Sequence, residues 1–249
     1  TVEEGNIRLG WCRVRGMSRE EMESLLAARA ERPFQSLEDL CRRTTLHRDT
    51  LERLILCGTF DSWHPNRRQW LMQIPYALAQ RQAFGNLFPA EALPAPSLQA
   101  EDFTAWEKFW YEWEILGLSV DCHVMTFLRD ELQRRNILST ADLTMVRDGA
   151  WVKLAGLVVC PHRPPTRSGR RVLFVSLEDE FGLVDAVLFE RVYQAYGHWV
   201  LTQPLVIVEG RLQRRGRGLS VVVHRVEPYR PVHVTNGFPE RVEQVCLRV

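Results

Sequence analysis

The spacing of apolar residues changes once along this chain, near Gly149. Before that glycine, apolar side chains recur every three or four residues, which is the spacing of amphipathic helices. After it, five short runs rich in Val, Leu and Phe are typical of strands. A chain of 249 residues has enough apolar material for one large or two modest domains. The sequence therefore predicts a helical part followed by a β-rich part.

The helical part opens with short helices whose first turns carry capping residues. Ser18 followed by Glu21 is a capping box, so we predict a helix over about 19–31. Ser36 and Asp39 repeat the pattern ahead of a second helix. Tight turns are expected between these elements.

Two further helices are predicted in the same region. Asp49 opens the third, which stops at Gly58. The fourth starts near Asn66, and Pro75 is expected to kink or break it because proline lacks the N–H that an inner turn needs. A proline-rich linker comes next, and then two more helical patterns. Their apolar stripes, which we interpret as core packing, are Trp106, Phe109, Trp110 and Trp113 in one and Val124, Phe127, Leu128 and Leu132 in the other.

The β-rich part contains five predicted strands, at 151–159, 172–177, 183–189, 205–211 and 219–226. A helical stretch lies between the third and the fourth strand. This is the element order of an OB-fold, a small Greek-key barrel whose loops between strands one and two and between strands four and five commonly bind oligonucleotides. Other small barrels share the pattern, so they remain the alternative.

Positive charge is concentrated in the β-rich part. The net charge of the whole chain is only +1, but residues 149–230 carry twelve Lys and Arg against seven acids. The two candidate binding loops hold four arginines each and no acid: Arg163, Arg167, Arg170 and Arg171 in the first, and Arg211, Arg214, Arg215 and Arg217 in the second. Guanidinium groups match phosphate oxygens and stack on bases, so we predict a groove for single-stranded nucleic acid. The alternative is a pair of solvated hairpin tips.

A second nucleic-acid contact is predicted in the helical part. Arg15, Gly16 and Ser18 lie between two helices, where a helix-hairpin-helix element has its hairpin. In such elements, backbone N–H groups at a helix N-terminus meet a DNA phosphate. Residues 58–61 would form the second hairpin. The alternative is that both turns are purely structural.

The residues show no constellation for chemistry. Glu178, Asp179 and Glu180 are consecutive acids without a partner motif for the two Mg²⁺ ions of nucleotidyl transfer. The seven histidines and six cysteines have no spacing typical of a metal site, a catalytic nucleophile or a disulfide framework. We therefore expect no catalytic residue, no metal ligand and no cofactor in this segment.

The apolar runs are too short for the roughly 20 residues of a membrane span, and no signal segment opens the chain. We expect a cytoplasmic protein without membrane contacts. Its first residue is Thr1, so either an initiator Met has been removed or the chain is a piece of a longer protein. The family resemblance described below favours a piece.

Three strings of the helical part resemble a known family. They are Val14-Arg15-Gly16-Met17, PFQSLEDLCRR over 33–43 and LERLILCGTFD over 51–61. In this order they resemble the tandem helix-hairpin-helix part of the bacterial C-family DNA polymerases, the family of the DNA polymerase III alpha subunit. Later segments resemble the same family, at 116–125, 152–159, 174–180 and 208–213, so the resemblance covers residues 7–227.

The resemblance implies a C-terminal region of a polymerase, most like the error-prone, damage-inducible branch that serves translesion synthesis and repair. The catalytic carboxylates of the family and their Mg²⁺ belong to a domain that would lie upstream, so none is carried over to this chain. The sliding-clamp peptide of the family has its nearest match at Phe84, Leu87 and Phe88. The implied organisation is tandem helix-hairpin-helix over 1–80, a linker over 81–103, a helical connector over 104–148, an OB-fold over 149–230 and a tail over 231–249.

Two functions from different classes are compatible with these observations. The first is a DNA-binding region that holds single-stranded and primer-template DNA for the parent polymerase. The second is a protein-interaction module that recruits a sliding clamp or other mutasome proteins. Salt distinguishes them, because phosphate contacts weaken steeply with ionic strength and apolar docking barely responds.

Overall fold

A computed structural model of the chain describes residues 9–83, 99–165, 171–216 and 218–229. It also gives the backbone of two short strands that pair with each other, β1 (Val2–Glu3) and β2 (Asn6–Ile7). The chain forms two compact units, Thr1–Asp121 and Cys122–Val249. Each unit has a hydrophobic core of its own.

The first unit is helical. After a 3₁₀ turn at Trp11–Arg13, its helices are α1 (Arg19–Glu31), α2 (Leu37–Arg43), α3 (Arg48–Leu56), α4 (Arg67–Ala83) and α5 (Ala105–Leu116). The predicted capping box of α1 is confirmed, because the Ser18 hydroxyl accepts from the Glu21 N–H at 3.1 Å and the Glu21 carboxylate accepts from the Ser18 N–H at 2.9 Å. Ser36 caps α2 as predicted.

Helix α4 continues through Pro75. Of the two outcomes expected there, a break is therefore wrong. Proline removes one hydrogen bond from the helix, but its neighbours Ile74 and Ala77 are each only 1% exposed. Burial of apolar side chains on both sides of the proline stabilises the helix enough to offset the lost bond.

The core of the first unit gathers apolar side chains from all five helices, including Leu25 of α1. Its main members are Leu37, Leu40, Leu51, Leu54, Ile55, Ile74, Ala77, Ile115 and Leu116. The aromatic side chains of α5 pack together, as predicted for core residues. Phe109 is buried, and the rings of Trp106 and Trp113 stack against it with centroids 5.4 Å and 6.0 Å away.

The second unit begins with short helical turns and continues as a barrel. The turns are a 3₁₀ segment at Val124–Leu128, α6 (Arg129–Arg134) and a 3₁₀ turn at Asp142–Met145. The strands are β3 (Trp151–His162), β4 (Leu173–Asp179), β5 (Gly182–Leu188), β6 (Leu205–Arg215) and β7 (Gly218–Pro228), with α7 (Glu190–Thr202) between β5 and β6.

The five strands close into a barrel in the order β3-β4-β5-β7-β6. All neighbours are antiparallel except β5 and β7, which run parallel. Alternate side chains point into the barrel, where Leu154, Val175, Ala186, Val208 and Val221 are buried. Strand number, helix position and closure confirm the predicted OB-fold.

Within the described part of the chain, no helix is both long and apolar enough to cross a membrane.

Candidate nucleic-acid interface

One side of the barrel carries an aromatic platform next to the loop between β3 and β4. Leu173 and Val175 point inward, so Phe174 between them points outward. The ring of His162 stacks on Phe174, with centroids 5.4 Å apart and planes 21° from parallel. Val187 lies opposite Phe174 on β5. The pair offers a nucleobase a flat apolar surface on which to stack.

In or next to the strands of the barrel, three exposed arginines have side chains with no ion pair or hydrogen bond to another described residue: Arg171, Arg211 and Arg215. Arg171 precedes β4, and Arg215 is the last residue of β6. Arg211 points outward from β6, because its neighbour Leu212 points into the core. Such guanidinium groups meet phosphate oxygens without breaking an internal contact.

A fourth arginine beside the platform is exposed but held in place. Nη1 of Arg163 donates to the Tyr193 hydroxyl at 2.7 Å, and the guanidinium carbon lies 5.8 Å from the centroid of that ring. The contact with Tyr193 fixes the orientation of the other N–H groups of Arg163. The other predicted loop arginines, Arg167, Arg170 and Arg217, lie outside the described residues.

Arg214 is an exception among the predicted loop arginines. Its Nη2 donates to the carbonyl oxygens of Leu143 at 3.0 Å and Val146 at 2.7 Å, and also to that of Thr144. The side chain thereby fastens the 3₁₀ turn at Asp142–Met145 to β6. These internal acceptors compete with a phosphate, so we leave Arg214 out of the proposed interface.

Most carboxylates on the barrel surface have a hydrogen-bond or ion-pair partner close by. The pairs are Asp185 with the Ser176 hydroxyl at 2.8 Å, Glu209 with Lys153 at 2.6 Å and Glu227 with Arg225 at 2.6 Å. Glu178 lies on the outer face as well, but four residues along β4 from Phe174. Positive charge therefore dominates at the Phe174 end of this face.

The first predicted hairpin has internal partners for the groups that would meet a phosphate. The Ser18 N–H donates to Glu21 in the capping box. Nη1 of Arg15 donates to the Glu114 carbonyl at 3.0 Å, and Nη2 of Arg13 donates to the Leu116 carbonyl at 3.0 Å. Both arginines therefore cap the C-terminal end of α5.

Gly16 is required by the shape of this hairpin. Its φ is +79°, a left-handed conformation that glycine adopts without strain. A Cβ atom here would lie 1.5 Å from Nη1 of Arg53, and that nitrogen donates to the Arg15 carbonyl at 3.1 Å. A side chain therefore already covers Gly16 on one side. The geometry supports the structural alternative for this turn, so Arg15, Gly16 and Ser18 are not included in the proposed interface.

The second predicted hairpin is locked by a buried arginine. Arg67 is 2% exposed and donates to Asp61 at 2.7 Å and to Glu112 at 2.8 Å. Its Nη1 also donates to the Leu56 carbonyl at 2.8 Å. Burial disfavours the guanidinium charge, but the two carboxylates outweigh it and raise the pKa of Arg67. This network joins α3, α4 and α5 and was not foreseen from the sequence.

Comparison with known proteins identifies relatives of the whole chain. Residues 1–70 match the family described as a helix-hairpin-helix motif, and residues 146–229 match the family described as an OB-fold nucleic acid binding domain. The error-prone DNA polymerase of Symbiobacterium thermophilum is 42% identical over 88% of this chain. Error-prone DNA polymerase 1 of Rhizobium meliloti is 34% identical over 91% of it. The chain is homologous to error-prone DNA polymerases.

The chain spans only 23% and 20% of the length of these two error-prone polymerases. Among solved structures, asparaginyl-tRNA synthetase from Pyrococcus horikoshii is 28% identical over 39% of this chain and 23% of its own, with a TM-score of 0.28.

The consecutive acids of the barrel do not fit the Mg²⁺ site that was considered for them in the sequence. Nη2 of Arg129 donates to Glu180 at 2.7 Å and lies 3.4 Å from Asp179, which also accepts from the Thr140 N–H at 2.7 Å. A cation already neutralises these oxygens. Within the described ranges, no group of three or more His, Cys, Asp or Glu residues is arranged to hold a metal ion.

Phe84, Leu87 and Phe88, the predicted clamp peptide of an error-prone polymerase, lie outside the described residues. The His162–Phe174 stack was missed in the sequence, although the alternation of β4 placed Phe174 outward. The signal was weak because outward aromatic residues are common on half-buried strands.

Proposed function

We propose that this chain is the DNA-binding region of an error-prone DNA polymerase, and that its barrel holds single-stranded DNA close to the primer-template. The main support is the combination of the His162–Phe174 platform with arginines that have no internal partner, Arg171, Arg211 and Arg215. Aromatic rings accept any base, and guanidinium groups accept any phosphate, so this surface suits a strand of any sequence.

In this proposal the chain performs no chemistry. Template-directed synthesis, with its Mg²⁺, belongs to other parts of the parent polymerase, which serves translesion synthesis and DNA repair in the cytoplasm. Three carboxylates of the barrel support this division, because Glu180 pairs with Arg129, Glu209 pairs with Lys153 and Asp185 accepts from the Ser176 hydroxyl. Purified chain supplied with Mg²⁺, nucleotides and a primed template is expected to show no extension.

The proposal is tested by the salt dependence of binding to a labelled oligonucleotide of about 16 nucleotides, the upper end of OB-fold site sizes. Replacing Arg171, Arg211 and Arg215 together with Gln should weaken binding and reduce the slope of log affinity against log salt by about 2, because each lost contact with a single strand removes about 0.7.

The matched control replaces three exposed arginines of the helical unit with Gln: Arg19, Arg29 and Arg48. Net charge changes equally, but the slope should stay the same. A flat salt response of the unmutated chain would instead favour the protein-interaction module, in which a sliding clamp or other mutasome proteins are the partners.

A further inference from the structure

A row of outward side chains runs around the barrel from the aromatic platform and returns to β3 eleven residues from where it starts. Cross-strand partners share a face of the sheet, so their register gives the row directly. In order around the barrel its members are His162, Phe174, Val187, Val222, Arg211 and Trp151. None of the six is buried.

The far end of this row carries a second pair of aromatic rings. Trp151 is 57% exposed, which is unusual for so large an apolar side chain. The ring of His224, also exposed, lies against it with centroids 4.7 Å apart. Trp151 is the first residue of β3, and His224 lies on β7. The pair is therefore away from the loop that adjoins the His162–Phe174 platform.

The surface between the two ring pairs suits a polyanion with flat bases. Four strand spacings separate Phe174 from Trp151, which is about 19 Å along the barrel surface. Arg211 is directly opposite Trp151 on the neighbouring strand. Its guanidinium group has no ion pair or hydrogen bond to another described residue. The two acids nearest in register are Glu209, which is paired with Lys153 at 2.6 Å, and Asp185, which accepts from the Ser176 hydroxyl at 2.8 Å.

We propose that Trp151 and His224 form a second stacking platform for single-stranded DNA. The strand leaves the His162–Phe174 platform, crosses β5, β7 and β6 with a phosphate at Arg211, and places a later base on Trp151. This inference rests on the proposed function and adds residues outside the two loops. It assigns a role to an exposed tryptophan that the core does not require.

The test compares a short and a long oligonucleotide, of about 4 and about 16 nucleotides, bound to the full chain. A base–aromatic stack contributes enough that Trp151→Ala should weaken binding of the long strand by about 5- to 150-fold. The short strand fits on the His162–Phe174 platform alone, so its affinity should change less than about twofold.

Two further variants separate stacking from folding. Trp151→Phe keeps an aromatic face and should recover most of the affinity for the long strand. Phe181→Ala is the matched control, because Phe181 is 61% exposed on the turn between β4 and β5 and lies outside the row. Its affinity for both strands should equal that of the unmutated chain. Thermal unfolding of each variant shows whether the fold is intact.

The outcomes are distinct for the two proposals. Equal affinity of Trp151→Ala and Phe181→Ala for the long strand would overturn the second platform and leave the first in place. Equal loss for short and long strands would also overturn it, because Trp151 would then belong to a single site. An unmutated chain that binds neither strand would overturn the proposed function and the second platform together.

Discussion

The arginines of the helical unit differ from three arginines on the surface of the barrel. In the helical unit, many guanidinium groups bind internal acceptors. Arg32, Arg42 and Arg43 converge on the single carboxylate of Asp39. Arg67 pairs with Asp61 and with the buried Glu112, and Arg13 and Arg15 bind carbonyl oxygens. On the barrel, Arg171, Arg211 and Arg215 have no such partner among the described residues.

The comparison shows that the number of arginines does not predict a polyanion site. A guanidinium group has five N–H donors and binds whichever acceptors are closest, whether carboxylate, carbonyl or phosphate. Only arginines whose surroundings lack an internal acceptor are available for a ligand. The following predictions test this division, starting with the largest expected effect.

Replacing Arg67 with Met should destabilise the helical unit by about 3–5 kcal/mol, because Glu112 would be left buried without a counter-charge. Urea unfolding measures the loss. The control is Arg48→Met, which removes an exposed pair with Glu52 and should leave the urea midpoint almost unchanged, because exposed ion pairs contribute little to stability. Similar small losses for both variants would contradict the inward role of Arg67.

Glu21 should make the helical unit sensitive to acid. Burial raises its pKa, but hydrogen bonds from the His47 and Ser18 N–H groups and from the Thr50 hydroxyl outweigh burial and hold the pKa at about 2, against 4.5 ordinarily. The unfolded chain takes up the proton first, so the stabilisation is complete above about pH 4.5 and is lost as the pH falls toward 2.

The loss is on the order of 3 kcal/mol. In Glu21→Gln, stability at neutral pH should be lower and its decline between pH 4.5 and 2 correspondingly shallower, as followed by urea midpoints. Some decline in stability should remain in this variant, because the pKa of Asp39 is also about 2 and this group is still present. An unchanged pH profile would show that these hydrogen bonds do not favour the ionised form.

Arg214 and Arg215 are neighbours on β6 that should behave differently. Arg214→Gln should destabilise the barrel by about 2 kcal/mol, through the lost carbonyl contacts, with no change in the salt slope of DNA binding. Arg215→Gln should leave stability unchanged and reduce that slope by about 0.7. Thermal unfolding measures the stability of the two variants, and salt titration of DNA binding measures their slopes. If Arg214→Gln reduced the slope and Arg215→Gln did not, Arg214 would belong to the interface instead of Arg215.

The smallest effect is expected for Arg15→Gln. Removing a cation from the C-terminal end of α5 should cost about 0.3–1 kcal/mol. Affinity for single-stranded and duplex DNA should not change, because the guanidinium is directed at the Glu114 carbonyl. If duplex affinity fell instead, the hairpin would be a phosphate contact as first predicted from the sequence.

The sequence predicted the elements well because local rules determine them. The capping boxes, the strand alternation and the helix between β5 and β6 all follow from neighbouring residues. Pro75 was expected to kink or break α4, but the helix continues through it. The outcome depends on the core around Ile74 and Ala77, which the local pattern does not contain.

The candidate site was predicted only in part, because its selectivity depends on long-range contacts. Nothing near Arg214 in the chain reveals that the carbonyl oxygens of Leu143 and Val146 lie beside it. In the same way, Trp151 and His224 become neighbours only through the pairing of β3, β6 and β7. Arginine-rich loops could be recognised in the sequence, but the availability of each arginine could not.

The caps on α5 also bear on how the helical unit opens. Arg13 and Leu116 are 103 positions apart, and Arg15 and Glu114 are 99 apart. We therefore expect fraying of the last turn of α5 and release of the segment around Arg15 to occur as one event. Amide protons at these two places should then exchange with solvent at a common free energy, which would make the first hairpin and α5 one cooperative folding unit.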